Sequence, residues 1–243
     1  MLWQLSAEYQ ALAPEFGSLE AVFALEGERI THDPISELIK VTRQGVDFYV
    51  KRYRNNGKGL RAWLPTTRIQ AEWQNLQRFK QWGIATAEVI AYGQERRYGK
   101  FIRGAMITRG LPSTADLAHL ANQQDPRLQD PQWVAQVSQQ VAEMTRILHQ
   151  HRFAHNDLKW RNLLVNQQGK VFLIDCPTGR FWCWPFLQRR LIKDLACLDK
   201  VASEQLSRTQ RLRFYLAYRQ QSRLTRQDKG YIRQIVHYFK GRE

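Results

Sequence analysis

Cysteine is scarce in this 243-residue chain, and its three thiols, Cys176, Cys183 and Cys197, show neither Cys-x-x-Cys nor mixed Cys/His spacing. An odd set so placed offers no disulfide framework and no zinc site, so the thiols are expected to be reduced. Long apolar runs are missing too. No stretch approaches the ~18 residues that a membrane-spanning helix requires, and the first residues lack the basic, apolar, small-residue order of a secretory signal. The chain is therefore expected in the cytoplasm. No internal repeat is present. Disorder is excluded by composition, because 43% apolar content with eight Trp supplies a core for one large domain or two lobes.

Negative charge is in short supply: 22 Asp/Glu face 37 Lys/Arg, a net charge of +15. The excess is uneven. Residues 180–243 hold fifteen Lys/Arg against five Asp/Glu, or +10, whereas residues 1–179 carry 22 against 17, or +5. Such a surface suits a polyanion, whether nucleic acid, anionic lipid headgroups or a phosphorylated or carboxylated glycan. A solvated basic helical face has the same composition.

What is present is a polar constellation in fixed order. His155-Asn156-Asp157-Leu158-Lys159-Trp160-Arg161-Asn162 is followed, eighteen residues after Asp157, by Ile174-Asp175-Cys176. Phosphoryl transfer requires one carboxylate beside the acceptor hydroxyl and further oxygens on Mg²⁺. Asp157, Asn162 and Asp175 can fill those roles. The apolar runs Leu163–Val165 and Val171–Ile174 flank the polar turn 166–170 and predict a β-hairpin. Its two ends meet, so Asn162 at the entry and Asp175 at the exit can converge on one Mg²⁺.

The chain ahead of this motif predicts a small sheet with one helix. Residues 37–42 and 46–53 read as a hairpin around Arg43-Gln44-Gly45, with Lys51 inside the second strand. A helix follows from about Thr67 to Trp82, stopped by Gly83, with Glu72 in its second turn. Two further strands, 89–91 and 100–108, flank a turn at 94–99. Arg109-Gly110-Leu111-Pro112 breaks the pattern as a hinge would. Asp130 and Pro131 then cap and start a helix with an apolar stripe of Trp133, Val134, Val137, Val141, Met144 and Ile147. After Asp175 an aromatic stretch, Phe181-Trp182-Cys183-Trp184-Pro185-Phe186, leads into Arg-rich helical sequence.

This order of motifs resembles the protein-kinase-like superfamily, and specifically the bacterial lipopolysaccharide-core kinases that act on heptose and Kdo. The resemblance covers most of the chain. It implies an α+β, bilobal protein-kinase-like fold: a small N-terminal antiparallel sheet lobe with one helix (1–108), a hinge (109–112) and a larger, mainly helical C-terminal lobe (113–243). By the same resemblance, Lys51 contacts nucleotide phosphates and Glu72 is its ion-pair partner. Thr108, Arg109, Gly110 and Leu111 stand where backbone groups would meet adenine. Asp157 corresponds to the catalytic base, Asn162 and Asp175 to the metal ligands. Lys159 corresponds to a lysine near the transferred phosphoryl group. His155 packs beneath the catalytic loop and Asp194 braces it.

The implied reaction moves the γ-phosphoryl group of ATP, with Mg²⁺, onto a sugar hydroxyl of the lipid-linked core oligosaccharide of lipopolysaccharide. An enzyme of this kind would work at the cytoplasmic face of the inner membrane, peripherally on its anionic surface, and no nucleic-acid partner is expected. Arg180, Arg189 and Arg190 would meet acceptor phosphates or carboxylates; Trp182 and Trp184 would stack on sugars, lie at a membrane interface or fill a core. Two departures stand out. Residues 26–37 contain only Gly27, so the glycine-rich phosphate cover is missing, and Cys176-Pro177 replaces the usual Phe-Gly. The short run to Asp194 leaves little space for a regulated activation loop, which implies a constitutively active enzyme. Two rival readings remain: a small-molecule or protein kinase with another hydroxyl acceptor, and a non-catalytic kinase-fold scaffold that binds anionic glycan, lipid or nucleic acid.

Overall fold

A computed structural model describes residues 2–55 and 63–241, which leaves Arg242 and Glu243 of the basic tail outside. The fold is α+β, and the chain divides into two compact units. The first comprises Met1–Arg78 and Thr86–Pro112, the second Phe79–Ala85 and Ser113–Glu243.

The first unit is built on a six-stranded antiparallel sheet of β1 (Leu2–Leu5), β2 (Glu28–His32), β3 (Ser36–Arg43), β4 (Val46–Tyr53), β5 (Val89–Arg97) and β6 (Lys100–Arg109). Its order is β1-β5-β6-β4-β3-β2. Two-residue turns fix the registers of the central hairpins. Gln44 and Gly45 both take positive φ, 52° and 75°, as do Tyr98 and Gly99, 50° and 83°. That geometry matches the right-handed twist of paired strands. The second of these turns differs from the sequence reading, which opened the loop at Gln94. Strand β5 instead continues to Arg97, because Arg96 and Arg97 pair across to Phe101 and Lys100.

The larger departure lies before β2, where two short helices, α1 (Ala13–Phe16) and α2 (Leu19–Ala24), join the expected long helix α3 (Arg68–Gln81). Ser18 caps α2 by accepting from the Ala21 amide at 3.1 Å. Phe16, Leu19 and Val22 are fully buried and pack with Ile39, Val41, Phe48, Val50 and Ile107 of the sheet. These helices are too short to show a 3.6-residue period; burial against the sheet forms them.

The second unit begins with β7 (Thr114–Asp116), α4 (Leu117–Asn122) and α5 (Pro131–Gln150). Asp130 caps α5 through the Gln132 amide at 2.9 Å, with Pro131 in the first turn. The helix buries Val134, Val137, Val141, Met144 and Leu148. There follow β8 (Phe153–Ala154), β9 (Leu163–Asn166), β10 (Val171–Leu173) and β11 (Arg180–Phe181). β9 and β10 form the expected hairpin, with Leu163 opposite Leu173, and β7 adds a third strand on β9. Three helices close the unit: α6 (Phe186–Gln205), α7 (Arg208–Arg219) and α8 (Arg226–Val236). Capping boxes of Ser207 with Gln210 and Thr225 with Asp228 start the last two. No helix among the described residues is long and apolar enough to cross a membrane.

Removal of the Phe16 ring empties a fully buried site between the short helices and the sheet. Phe16→Ala is expected to cost about 3–5 kcal/mol of stability in urea denaturation of the full chain. A loss below ~1 kcal/mol would show that the helices dock without the sheet needing them.

Candidate active site

In the first unit β4 and α3 meet at one ion pair. Lys51 Nζ lies 2.9 Å from Glu72 Oε1, and the Tyr53 hydroxyl donates to Glu72 Oε2 at 3.1 Å. The carboxylate is nearly sealed, its side chain 4% exposed, whereas the lysine retains 18%. Burying such a pair for stability alone is a poor return, because desolvation offsets the attraction. Between β2 and β3, where a glycine-rich cover was found wanting, stands a closed turn. Asp33 Oδ1 accepts from the Ile35 and Ser36 amides at 2.8 Å each. Burial pushes the Asp33 carboxyl up, but the Ser36 hydroxyl, those two amides and the charge of Lys51 together hold it below the usual range.

Thr108 and Arg109 end β6, with Gly110 and Leu111 next. The Arg109 amide donates to Glu88 O at 2.9 Å and the Gly110 amide to Asp47 O at 2.7 Å. A Cβ on Gly110 would stand 2.8 Å from Asp47 O, so only glycine permits this approach. Two amides of the segment expected to meet adenine are thus spent within the sheet.

In the second unit the loop that opens at His155 is braced by one carboxylate. Asp194, fully buried on α6, accepts from the His155 amide at 2.7 Å and the Asn156 amide at 2.8 Å. His149 Nε2 lies 3.5 Å from Asp194 and its Nδ1 is 2.8 Å from the Tyr218 hydroxyl. Asn156 takes φ 66° and is tied on both sides: its Nδ2 donates to Thr178 O at 2.9 Å, and Lys193 Nζ donates to its carbonyl at 2.6 Å. Asp157 emerges from this brace half-buried. Lys159 Nζ sits 2.6 Å from its Oδ1, and Arg161, four residues on, sits 3.2 Å from Oδ2.

Asn162 and Asp175 are drawn together by the hairpin. The Ile174 amide donates to Asn162 O at 2.9 Å, which seats Asp175 next to Asn162, and Asp175 takes φ 58°. Asn162 Nδ2 donates to Asp157 O at 2.8 Å, which turns its Oδ1 the other way. One amide oxygen and one carboxylate form a hard-oxygen pair, the donor chemistry of Mg²⁺ shared with phosphates and water. His155, fully buried, stacks on Phe79 with centroids 6.2 Å apart. Burial holds its imidazole below the ordinary value, against the carboxylates of Asp194, Asp175 and Asp157 and the Ile174 backbone, which favour the charged form.

The residues after Asp175 divide. Trp182 is held by two guanidiniums, with Arg180 at 4.7 Å and Arg190 at 4.2 Å from its ring. Trp184 stands 73% exposed, and Arg189 is exposed in the first turn of α6. Apart from the loop lies a cavity of about 470 Å³ within the helices, lined by apolar groups such as Leu117, Val137, Leu163, Leu198 and Ile235, with Arg208 among its polar lining. Sequence reading missed Tyr53, His149, Asn156, Arg161 and Lys193 as parts of the site. Arg161 carried a usable signal, the i,i+4 spacing from Asp157; the others depend on partners 19 to 69 residues away.

A model of the lipopolysaccharide kinase (Kdo/WaaP) family matches residues 19–218. Similar curated proteins include the lipopolysaccharide core heptose(I) kinase WaaP of Pseudomonas aeruginosa, 27% identical over 158 residues, 63% of this chain and 59% of that protein. A 3-deoxy-D-manno-octulosonic acid kinase of Mannheimia succiniciproducens is 29% identical over 134 residues, 52% of this chain and 53% of the relative. The chain therefore spans a little over half the length of these relatives. Among solved structures, a WaaP in complex with acyl carrier protein superposes with a TM-score of 0.77 at 23% identity, covering 98% of both chains. That likeness identifies the fold as protein-kinase-like.

Burial of neutral His155 sets a pH response. Its folded pKa is depressed, so the unfolded chain binds the proton first as pH falls below about 6.5. Stability is present above that pH and drains away below it, by up to about 1.4 kcal/mol per pH unit. Denaturation of wild type and His155→Phe from neutral to mildly acidic pH checks this: the variant should lose less on acidification, and parallel losses would refute it.

Proposed function

We propose that this chain, which belongs to the lipopolysaccharide kinase (Kdo/WaaP) family, transfers the γ-phosphoryl group of ATP to a sugar hydroxyl, on heptose or Kdo, of the lipopolysaccharide inner core. The observation that supports this reading is the braced loop: Asp194 fixes the His155 and Asn156 amides just before Asp157, Asn162 donates to Asp157 O, and the Ile174 amide ties the residue before Asp175 to Asn162. The family match and the kinases named among the relatives supply the acceptor class.

In this reading Asp157 orients the acceptor hydroxyl and takes its proton as the new P–O bond forms. Lys159, already 2.6 Å from Asp157, offers its charge to the equatorial oxygens of the transferred group. Asn162 Oδ1 and the Asp175 carboxylate would hold Mg²⁺, which would neutralise charge on the phosphates. Lys51, fixed by Glu72 and Tyr53, meets phosphate oxygens of the nucleotide, and the closed Asp33 turn replaces a glycine-rich cover. Because the Arg109 and Gly110 amides are engaged elsewhere, adenine is met through other groups of the Thr108–Leu111 segment. His155 and Asp194 support the loop without touching substrate. Arg180, Trp182, Trp184, Arg189 and Arg190 belong to the acceptor side, and the enzyme works peripherally on the anionic inner-membrane surface, where a lipid-linked acceptor is held.

An acyl group suits the cavity among the helices. Its size falls within the roughly 300–1,000 Å³ of small-ligand sites and its lining is mostly apolar. The structural relative is a WaaP in complex with acyl carrier protein, and we extend that partner to this chain. Acylated carrier should co-elute with the purified protein in size-exclusion chromatography while the unacylated carrier does not. Equal behaviour of the two would remove the acyl group from the cavity.

The reaction is tested by transfer of ³²P from γ-labelled ATP to purified lipopolysaccharide core. Asp157→Ala should lower the rate by about 10²–10⁴-fold with nucleotide affinity retained, and Asp175→Ala should weaken Mg²⁺-dependent ATP binding. Near-normal turnover in the Asp157 variant would sink the mechanism.

A further inference from the structure

The stretch that leaves the catalytic hairpin and enters α6 shows an unusual surface. Phe181 is 52% exposed, Trp184 73% and Phe186 63%. Single exposed aromatics are ordinary on a protein surface, but three within six residues form a patch that water opposes. The surrounding charge has one sign. Arg180, Arg189, Arg190 and Lys193 lie in this stretch, and no acidic residue occurs between Cys176 and Lys193.

The patch is firmly mounted. β11 pairs with β8, Arg180 opposite Ala154 and Phe181 opposite Phe153. The Phe181 ring packs edge-on against Phe153 at 5.4 Å and Trp82 at 6.1 Å. Arg180 and Arg190 lie over Trp182, so that indole is occupied and its neighbours Trp184 and Phe186 are presented outward.

From this juxtaposition we propose that residues 180–190 are a membrane-docking element, in which Trp184 and Phe186 enter the interfacial layer of an anionic bilayer and Arg180, Arg189 and Arg190 meet its phosphate headgroups. The chemistry is that of interfacial anchoring: amphipathic aromatic rings favour the boundary between water and acyl chains, and each cation near an anionic surface adds attraction. A sugar-stacking platform fits less well, because the indole that is held in place, Trp182, already carries two guanidiniums. An acidic protein partner would account for the arginines but not for the solvent-facing aromatics. The proposal deepens the reading of a kinase for a lipid-linked acceptor and rests on it. It adds a geometrical reason: Ala154 in the strand that mounts the patch is three residues before Asp157, and Thr178 O accepts from Asn156 of the catalytic loop. Docking therefore sets the height of the proposed base above the headgroups, the level at which inner-core sugars emerge.

The test uses the full chain and lipid vesicles without nucleotide, so it reads independently of phosphoryl transfer. Co-sedimentation is measured with phosphatidylcholine vesicles with and without phosphatidylglycerol, for wild type, Trp184→Ser/Phe186→Ser and the conservative Trp184→Phe/Phe186→Leu. Binding is expected only with phosphatidylglycerol, about tenfold weaker in the serine variant and retained in the conservative one. Cys183, exposed between the two indoles while Cys176 and Cys197 are buried, accepts an environment-sensitive fluorophore whose emission should shift to the blue on binding. Absence of phosphatidylglycerol-dependent binding would overturn the proposal, as would equal binding by the serine variant with an unmoved Cys183 probe, which places the attraction elsewhere on the basic surface. Binding of delipidated core glycan or acidic carrier protein that alone responds to the serine variant would likewise overturn it.

Discussion

The loop of the second unit that carries Asp157 is organised around one buried carboxyl group, that of Asp194. Asp194 has no exposed surface, and a carboxylate so placed is tolerable only if its oxygens are fully engaged. Two consecutive main-chain amides, His155 and Asn156, engage them, and His149 approaches from α5. Two elements are thereby locked to one point, α6 through Asp194 itself and the loop through its own backbone, with His149 of α5 standing 3.5 Å away. Because the bonds run to backbone groups, they hold the path of the chain, and the Asp157 side chain beyond them is engaged by Lys159 and Arg161 of its own loop. Without Asp194 two amides would be buried unpaired, a cost of about 1–3 kcal/mol each, and the loop would have no fixed course.

The first unit uses a buried charge differently. Glu72 accepts from Lys51 and Tyr53, and the lysine keeps more contact with solvent than the carboxylate, 18% against 4%. The ion pair fixes the place of the ammonium group beside the carboxylate, so an anion at Lys51 would meet a cation already positioned. The Asp33 turn sits within electrostatic reach of the same lysine. The turn keeps its shape through its own side chain, Asp33 accepting from the Ile35 and Ser36 amides.

Much of this was readable beforehand, and the parts that were not share a cause. The two hairpins announced themselves by alternating apolar residues and by Gln44-Gly45 and Gly169, where positive φ is required. Helix α5 was legible from Asp130, Pro131 and its apolar stripe. The approach of the Asn162 and Asp175 segments was legible from spacing, since the hairpin between them brings its two ends together. In contrast α1 and α2 are four and six residues long and form only against the sheet. Strands β7, β8 and β11 are two or three residues each and exist through their partners. Tyr53 on Glu72, Lys193 on Asn156 and the two arginines over Trp182 are likewise products of folding, and no local pattern carries them.

Asp175 stands at φ 58°, in a backbone region where a side chain with a Cβ is strained by roughly 1–2 kcal/mol. Glycine would occupy the same position without that cost but would bring no carboxylate. The chain thus keeps at this one residue a standing conflict between durability and chemistry. A glycine there would relieve the backbone and, in the proposed reading, remove one of the two oxygens that would meet Mg²⁺, so ease of folding and chemistry pull this position in opposite directions.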